Sequence, residues 1–344
     1  MLISRKMISP IYTTTSVAIY DDVIAVVIVN FRTPQLVSDC ITSLAKERKN
    51  FPSLSVVVVD NDSQDGSVNI LEDFIGVEQY FDWVKIIDAP KNGGYAYGNN
   101  IGFDKAKSWL GEIGYFWMLN PDTRVMPNAT SALVDFLVAN PKSIVGSCLQ
   151  DADGSKQVSA FNFPSVISEM CSGFGLGLLD RFFNKYIVCL PIPEKSIQCD
   201  WLAGASLMFN NKTQSLLGHL DEKYFLYFEE VDYLLHAKKK GIPCWYVPES
   251  KVIHEVGAST GISDVRKQQP RRPVYWFESR TRYFLKNHGR LYLFTADCLW
   301  PLAYGTWLIR SKLTDVESFQ ARPPYLLSDF LIQSQLNPVN WFKS

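Results

Sequence analysis

Asp122 closes the run Tyr115–Asp122, in which five apolar residues stop abruptly at an asparagine, a proline and a carboxylate. A carboxylate in that place can hold a hard divalent cation, Mg2+ or Mn2+, and through it the oxygens of a diphosphate. A second acidic group lies between Gly218 and Gly241, where Asp221, Glu222, Glu229 and Glu230 flank the aromatic run Tyr224–Phe228. Aromatic walls suit sugar rings and desolvate a base. The same acids, opening a helix that ends on Lys238–Lys240, also complement the helix dipole, which is a purely structural reason for some of them. His254 ends a short apolar strand, Val252–His254. A neutral imidazole there is a sound Mn2+ ligand or a plain structural residue.

Such groups need a frame, and the first 125 residues alternate in the manner of one. Strands rich in Val and Ile are expected at Val23–Asn30, Ser55–Asp60, Val84–Asp88 and Tyr115–Leu119. Helical patterns separate them: one opening at Pro34 with Val37, Cys40, Ile41 and Leu44 on one face, one over Gly66–Ile75, one over Asn99–Leu110. Strands and helices in alternation mean a mostly parallel central sheet covered on both faces, an α/β fold. In such a sheet the carboxyl ends of the strands share one edge, and ligands bind there. The strands here finish on Asn30, Asp60, Asp88 and Asn120-Pro121-Asp122, so their polar ends gather along one cleft.

The ligand class is narrowed by what is missing. Neither a G-x-G-x-x-G fingerprint nor a P-loop follows the first strand. The Gly-rich stretch Asn92–Gly102 has neither spacing; it reads as a flexible helix entry or as backbone passing close to a ligand. Without a phosphate-loop lysine, a diphosphate would need another counter-charge, and a cation on Asp122 supplies it. Net charge of -1 over 344 residues argues against a protein that coats nucleic acid. Seven scattered cysteines without a C-x-x-C pair read as reduced thiols in a cytosolic compartment, and residues 1–22 as a loose leader.

The stretches Val26–Pro34, Val56–Ser67, Asn92–Phe103, Phe116–Val125, Trp201–Phe209, Gly218–Ile242 and Val252–His254 resemble, in order and spacing, those of the inverting family 2 glycosyltransferases, most of all the rhamnosyltransferase branch. The resemblance covers residues 23–290 and implies a GT-A fold, with a nucleotide-binding half over 23–125 and an acceptor-binding half over 126–290. It implies that Asn30, Phe31, Asp60, Asn92, Gly93 and Asn120 line the nucleotide pocket. Asp122 would be the last member of a D-x-D-type metal motif whose first acid is here Asn120, and His254 a further ligand of the Mn2+ or Mg2+. Glu229-Glu230 matches a Glu-Asp pair whose second member is the general base. Glu230 stands in that place, one methylene longer, with Asp232 as the fallback. Trp201, Gly204 and Ala205 would face the acceptor. The implied donor is a dTDP- or UDP-sugar, with dTDP-L-rhamnose foremost, and the implied acceptor a surface polysaccharide such as O-antigen or its lipid-linked precursor. Two other readings remain open at this point: a nucleotidyltransferase acting on a sugar phosphate, and a degenerate homologue that binds partners in a polysaccharide assembly complex.

Residues 291–344 form a C-terminal segment of another character. Leu291–Ile309 approaches spanning length but is interrupted by Asp297 and Pro301. Together with the basic and aromatic stretch before it, it reads as an interfacial segment lying on the cytoplasmic face of the inner membrane, with those cations on anionic lipid. The alternative is a helix packed against the domain.

Overall fold

The computed structural model describes residues 22–175, 186–255, 271–313 and 322–341, so the expected leader lies, save for Asp22, outside the described residues. The β-branched runs form β1 (Ile24–Asn30), β2 (Leu54–Asp60), β3 (Val84–Asp88) and β4 (Tyr115–Leu119), separated by α1 (Pro34–Glu47), α2 (Ser67–Glu78) and α3 (Gly94–Leu110). There follow β5 (Thr123–Val125), α4 (Ala129–Ala139), β6 (Ile144–Gln150), β7 (Ala160–Phe161), α5 (Val166–Phe174), β8 (Ile197–Cys199), β9 (Trp201–Leu202) and β10 (Ser206–Asn210). The chain continues through α6 (Asn211–Leu217), α7 (Glu229–Lys239), β11 (Cys244–His254), α8 (Val274–His288), α9 (Arg290–Leu313) and α10 (Leu326–Gln333).

Among the described residues nine strands form one sheet, in the order β3-β2-β1-β4-β10-β6-β11-β5, with β8 also pairing β11. The β3-β2-β1-β4 half is parallel, as expected. Beyond it β10 runs antiparallel to both β4 and β6, so the second half is mixed. Side chains alternate across the sheet with period two. Ile24, Val26 and Ile28 of β1 join a core under α1, α2 and α4, while Ala25 and Val27 join a core under α3 and α7.

Helix α3 begins at Gly94, five residues earlier than its apolar pattern indicates, and takes in most of the Gly-rich stretch. The reason is packing. A Cβ on Gly98 would stand 2.6 Å from Val29 Cγ1, and one on Gly102 would run into Val27 Cγ1. These glycines let the helix lie directly on β1. Gly94 is held at φ 87° with its Cα against the backbone carbonyl of Phe225, where no side chain fits.

The C-terminal helices form a lobe around Phe277, Trp300, Tyr304, Leu326 and Phe330, and α9 packs along α5. Asp297 is fully buried and accepts from Arg280 Nη1 at 2.7 Å, while Arg280 Nε donates to Glu169 at 2.6 Å. No described helix is long and apolar enough to cross a membrane. Of the cations preceding α9, those among the described residues are engaged within the fold, while Arg266 and Lys267 lie outside the described residues. Arg282 and Lys286 pair with Asp221, Arg271 pairs with Asp329, and Arg280 is buried, so these side chains are not the ones left to meet lipid.

The glycine contacts predict that Gly102→Ala destabilises the protein by about 1–3 kcal/mol, overpacking outweighing the gain in helix propensity. Urea denaturation followed by circular dichroism reads this directly; an unchanged or raised midpoint would show that β1 yields freely to α3.

Candidate active site

The strand ends do gather polar groups, and they are wired to one another before any ligand arrives. Asn30 Nδ2 and Ser63 Oγ both donate to Asp60 Oδ1 at 2.6 Å, and the Ser63 amide donates to Asp60 Oδ2 at 2.9 Å. Asn61 Nδ2 donates to Asn92 Oδ1 at 3.0 Å and to the Gly94 carbonyl at 3.1 Å. Asn30, Asp60, Asn92 and Gly93 therefore lie on one ordered edge, with the β2 end locked to the start of α3. Phe31 stands out from it, half-exposed, with the Arg32 guanidinium 5.0 Å from its ring centroid. A free aromatic face beside a cation is the chemistry that stacks a base.

Asp122 sits in the turn between β4 and β5, its side chain 1% exposed, with Oδ1 3.5 Å from Nε2 of His254. Asn120 begins that turn, its amide donating to the Ala205 carbonyl at 3.0 Å. Gln157 fixes which imidazole nitrogen faces the acid. Its amide NH2 donates to Asp151 Oδ1 at 2.7 Å and to the His254 carbonyl at 2.8 Å, leaving its Oε1 to accept from His254 Nδ1 at 3.2 Å. With Nδ1 as donor, Nε2 turns a lone pair toward Asp122. Burial lowers the pKa of His254, against the raising effect of Asp122 and Asp151, and so favours this neutral form. A carboxylate and an imidazole lone pair converging on one point fit a divalent cation. No group of three ligating side chains occurs among the described residues, so the remaining positions of such an ion would fall to water and phosphate oxygens, as they do for Mg2+.

Glu229 and Glu230 open α7 from an unusual turn. Tyr227 and Phe228, neither of them glycine, stand at φ 69° and 67°, so the chain enters the helix through two left-handed residues. Glu229 is buried and Glu230 partly buried, and neither Glu229 Oε2 nor Glu230 Oε2 has a hydrogen-bond partner among the described residues. Burial pushes the Glu230 carboxyl up to about 7, opposed by the backbone N–H groups of Glu230 and Val231. Burial, then the neighbouring Glu230 charge, raises Glu229 as well. A carboxyl poised near neutrality is suited to proton transfer at physiological pH.

Tyr95 joins the two regions. Its hydroxyl donates to the Gly204 carbonyl at 2.9 Å. Burial raises its pKa, and the charges of Glu229, Glu230 and Asp122 raise it further, so all three carboxylates lie within electrostatic reach of one phenol. A Cβ on Gly204 would meet the Glu230 side chain at 3.6 Å, which places Gly204 beside Glu230.

Asp232 is a correction. Its Oδ2 accepts from Lys286 at 2.6 Å and its Oδ1 from Asn287 at 2.7 Å, so both oxygens tie α7 to α8, and a fallback base does not fit. Trp201 is held in packing, stacked on Phe161 at 4.1 Å with its Nε1 donating to the Asn162 carbonyl at 2.9 Å. Ala205 is buried in the core beneath the site. Sequence reasoning missed Asn61, Ser63, Tyr95 and Gln157. Asn61 and Ser63 lie in the run Asp60–Ser63, where hydrophilic residues directly follow a strand end, and Tyr95 lies within the Gly-rich stretch Asn92–Gly102; Gln157 carries no motif signal.

Residues 25–164 match the family described as Glycosyl transferase family 2. An N-acetylglucosaminyl-diphospho-decaprenol L-rhamnosyltransferase of Mycobacterium tuberculosis is 27% identical over 285 residues, covering 79% of this chain and 83% of that one. Rhamnosyltransferase WbbL of Escherichia coli is 26% identical over 178 residues, 49% of this chain and 64% of its own length. Among solved structures, mannosyltransferase PcManGT from Pyrobaculum calidifontis, in complex with GDP-Man and Mn2+, superposes with a TM-score of 0.56 at 13% identity, covering 94% of this chain and 89% of that one. Residues 25–164 thus match a glycosyltransferase family 2 domain, the fold is that of the GT-A enzymes, and the sequence relatives are rhamnosyltransferases.

Proposed function

We propose that this protein transfers a sugar, with inversion at the anomeric carbon, from a nucleoside diphosphate to a hydroxyl of a glycan carried on a lipid diphosphate. The observation that carries this reading is the meeting of Glu230 and the Tyr95 ring at Gly204, each 3.6 Å from a Cβ placed there, beside the turn of Asp122, whose Asn120 amide donates to the neighbouring Ala205 carbonyl at 3.0 Å. Glu230, its carboxyl poised near neutrality, takes the proton of the attacking hydroxyl. The new bond forms between that oxygen and the anomeric carbon as the bond to the departing diphosphate breaks on the opposite face. Asp122 and His254 would hold a divalent cation, which when bound neutralises charge gathering on the leaving group. Asn30, Asp60 and Asn92 order the edge against which the nucleotide lies, and Phe31 stacks on its base. The names of the relatives favour L-rhamnose from dTDP-L-rhamnose as the donor sugar, and a polyprenyl-diphosphate glycan as acceptor.

Thermal melting with dTDP or UDP at about 1 mM, with Mn2+ or with chelator, is expected to show a metal-dependent rise in Tm that Asp122→Asn abolishes, since binding to the native state adds RT ln(1 + [L]/Kd). No shift with any nucleotide would reject the reading. Glu230→Gln should retain that nucleotide shift and lose about 10²–10⁴ in turnover. Wild-type kcat should rise with pH through about 7 as Glu230 ionises.

The same carboxyl predicts a stability effect of definite sign. The native state keeps the Glu230 proton up to about 7, whereas the unfolded chain releases it near 4.5, so ionisation costs stability as pH climbs through that window. Glu230→Gln should match the wild type near pH 4.5, exceed it by roughly 1–3 kcal/mol at pH 8, and show a shallower fall between, the residual slope coming from Glu229. Urea midpoints at the two pH values decide it; a variant less stable at pH 8 would mean the carboxylate is well solvated or paired.

A further inference from the structure

The outward face of α9 carries a row of large apolar side chains, interrupted by Thr295 and Thr306. Leu291, Phe294, Leu302, Ile309 and Leu313 are each between 46% and 81% exposed. Their spacings of three, eight, seven and four residues keep them on one side of the helix, over roughly 33 Å. Cys298 and Gly305 fill the same row. Exposed cations stand at its ends, Arg290 and Lys312. The acids of α9 and α10 are turned inward: Asp297 is fully buried, and Asp329 is buried against Arg271. At its N-terminal end the row continues into Trp341, which with Arg290, Phe294 and Gln335 lines a cleft of about 230 Å3.

Exposed apolar rows of this length mark contact with something. A second copy of this chain fits poorly. Antiparallel pairing of two such rows brings Arg290 of one against Lys312 of the other, and parallel pairing sets like against like, with no exposed carboxylate on α9 or α10 to relieve either. Anionic lipid suits every feature: leucines and phenylalanine enter the acyl boundary, the indole lies at headgroup depth, and the end cations meet phosphates. The geometry points to this face of α9, extended by Trp341, as the surface by which the protein lies flat on an anionic bilayer. The inference adds to the proposed function by naming how the protein reaches an acceptor held in a membrane. Its test needs neither nucleotide nor acceptor, so the two readings fail separately.

The test is co-sedimentation of the full chain with sucrose-loaded vesicles, either phosphatidylglycerol mixed with phosphatidylcholine or phosphatidylcholine alone. The wild type should sediment with the anionic vesicles and far less with the neutral ones. Leu302→Glu combined with Ile309→Glu should lower the partition coefficient at least about tenfold, because two charges must enter the boundary. Both side chains are exposed, so the melting temperature should not move, which separates lost binding from lost fold. Arg290→Ser with Lys312→Ser should remove only the preference for anionic lipid. Wild type that stays in the supernatant with both vesicle types, or a double glutamate variant that binds as well as wild type, overturns the inference. So does a dimer, seen by light scattering without lipid, that the glutamate variant dissociates; that result would assign the face to a second copy.

Discussion

Two adjacent carboxyls held away from water are the most demanding arrangement in this molecule, and much of the surrounding structure exists to sustain it. An isolated buried carboxylate either pairs or takes up a proton. Among the described residues no cation stands beside Glu229 and Glu230, and the backbone N–H groups at the start of α7 offset only part of the burial. Their entry turn adds strain, since each left-handed non-glycine residue costs about 1–2 kcal/mol. Tyr227 and Phe228 are kept there by aromatic packing on α8: Tyr227 lies nearly parallel to Tyr275 at 6.1 Å, and Phe228 meets Tyr283 at 5.5 Å. Ser279 Oγ caps the arrangement by donating to the Leu226 carbonyl at 3.0 Å. A strained turn fixed from behind and two adjacent carboxyls with raised pKa are the marks of a functional site.

That site belongs to neither half of the sheet alone. The parallel half brings Asp60, Asn61 and Asp122 to one edge because its strands are buried on both faces and their polar residues collect at the ends. The mixed half supplies α7 and His254. Contact between them runs through α3: the Gly94 backbone lies on Phe225, the Tyr95 amide donates to the Phe225 carbonyl at 2.9 Å, and the Tyr95 hydroxyl reaches Gly204. The strand-end edge and the Glu229–Glu230 pair share one helix and are held at a fixed separation, which the proposed transfer between two substrates requires.

The frame was legible in the sequence because buried parallel strands have to be β-branched runs and their ends have to be polar. The start of α3 was hidden because its glycines oppose helix propensity; close packing on β1 overrides that, and one chain cannot display its partner. The roles of Glu230 and Asp232 could have been separated from sequence. Two residues along a helix they lie about 200° apart, so only one can face the cleft. Composition misled most over the basic stretch before α9. Counting Arg and Lys does not reveal that Asp221, Asp232, Glu169, Asp297 and Asp329, far away in the chain, are waiting for them. The second coordination layer, Gln157 on His254, is equally silent, since an amide in a loop carries no periodicity.

Those hidden ion pairs define what α8 does. At one end Lys286 and Asn287 grip Asp232 on α7. At its middle the buried Arg280 binds the partly buried Glu169 of α5 and the fully buried Asp297 of α9. Replacing such a set by apolar side chains can be neutral, but removing one member strands a buried charge and costs about 3–5 kcal/mol. The set therefore specifies an arrangement more than it adds stability: α9 can sit against α5 and α8 in one register only, because only there do both carboxylates meet one guanidinium. Glu230 and the apolar row of α9 are thus both referenced to the same rigid strut. A surface that settled on that row would hold the base at a constant height and orientation above it, without any moving part.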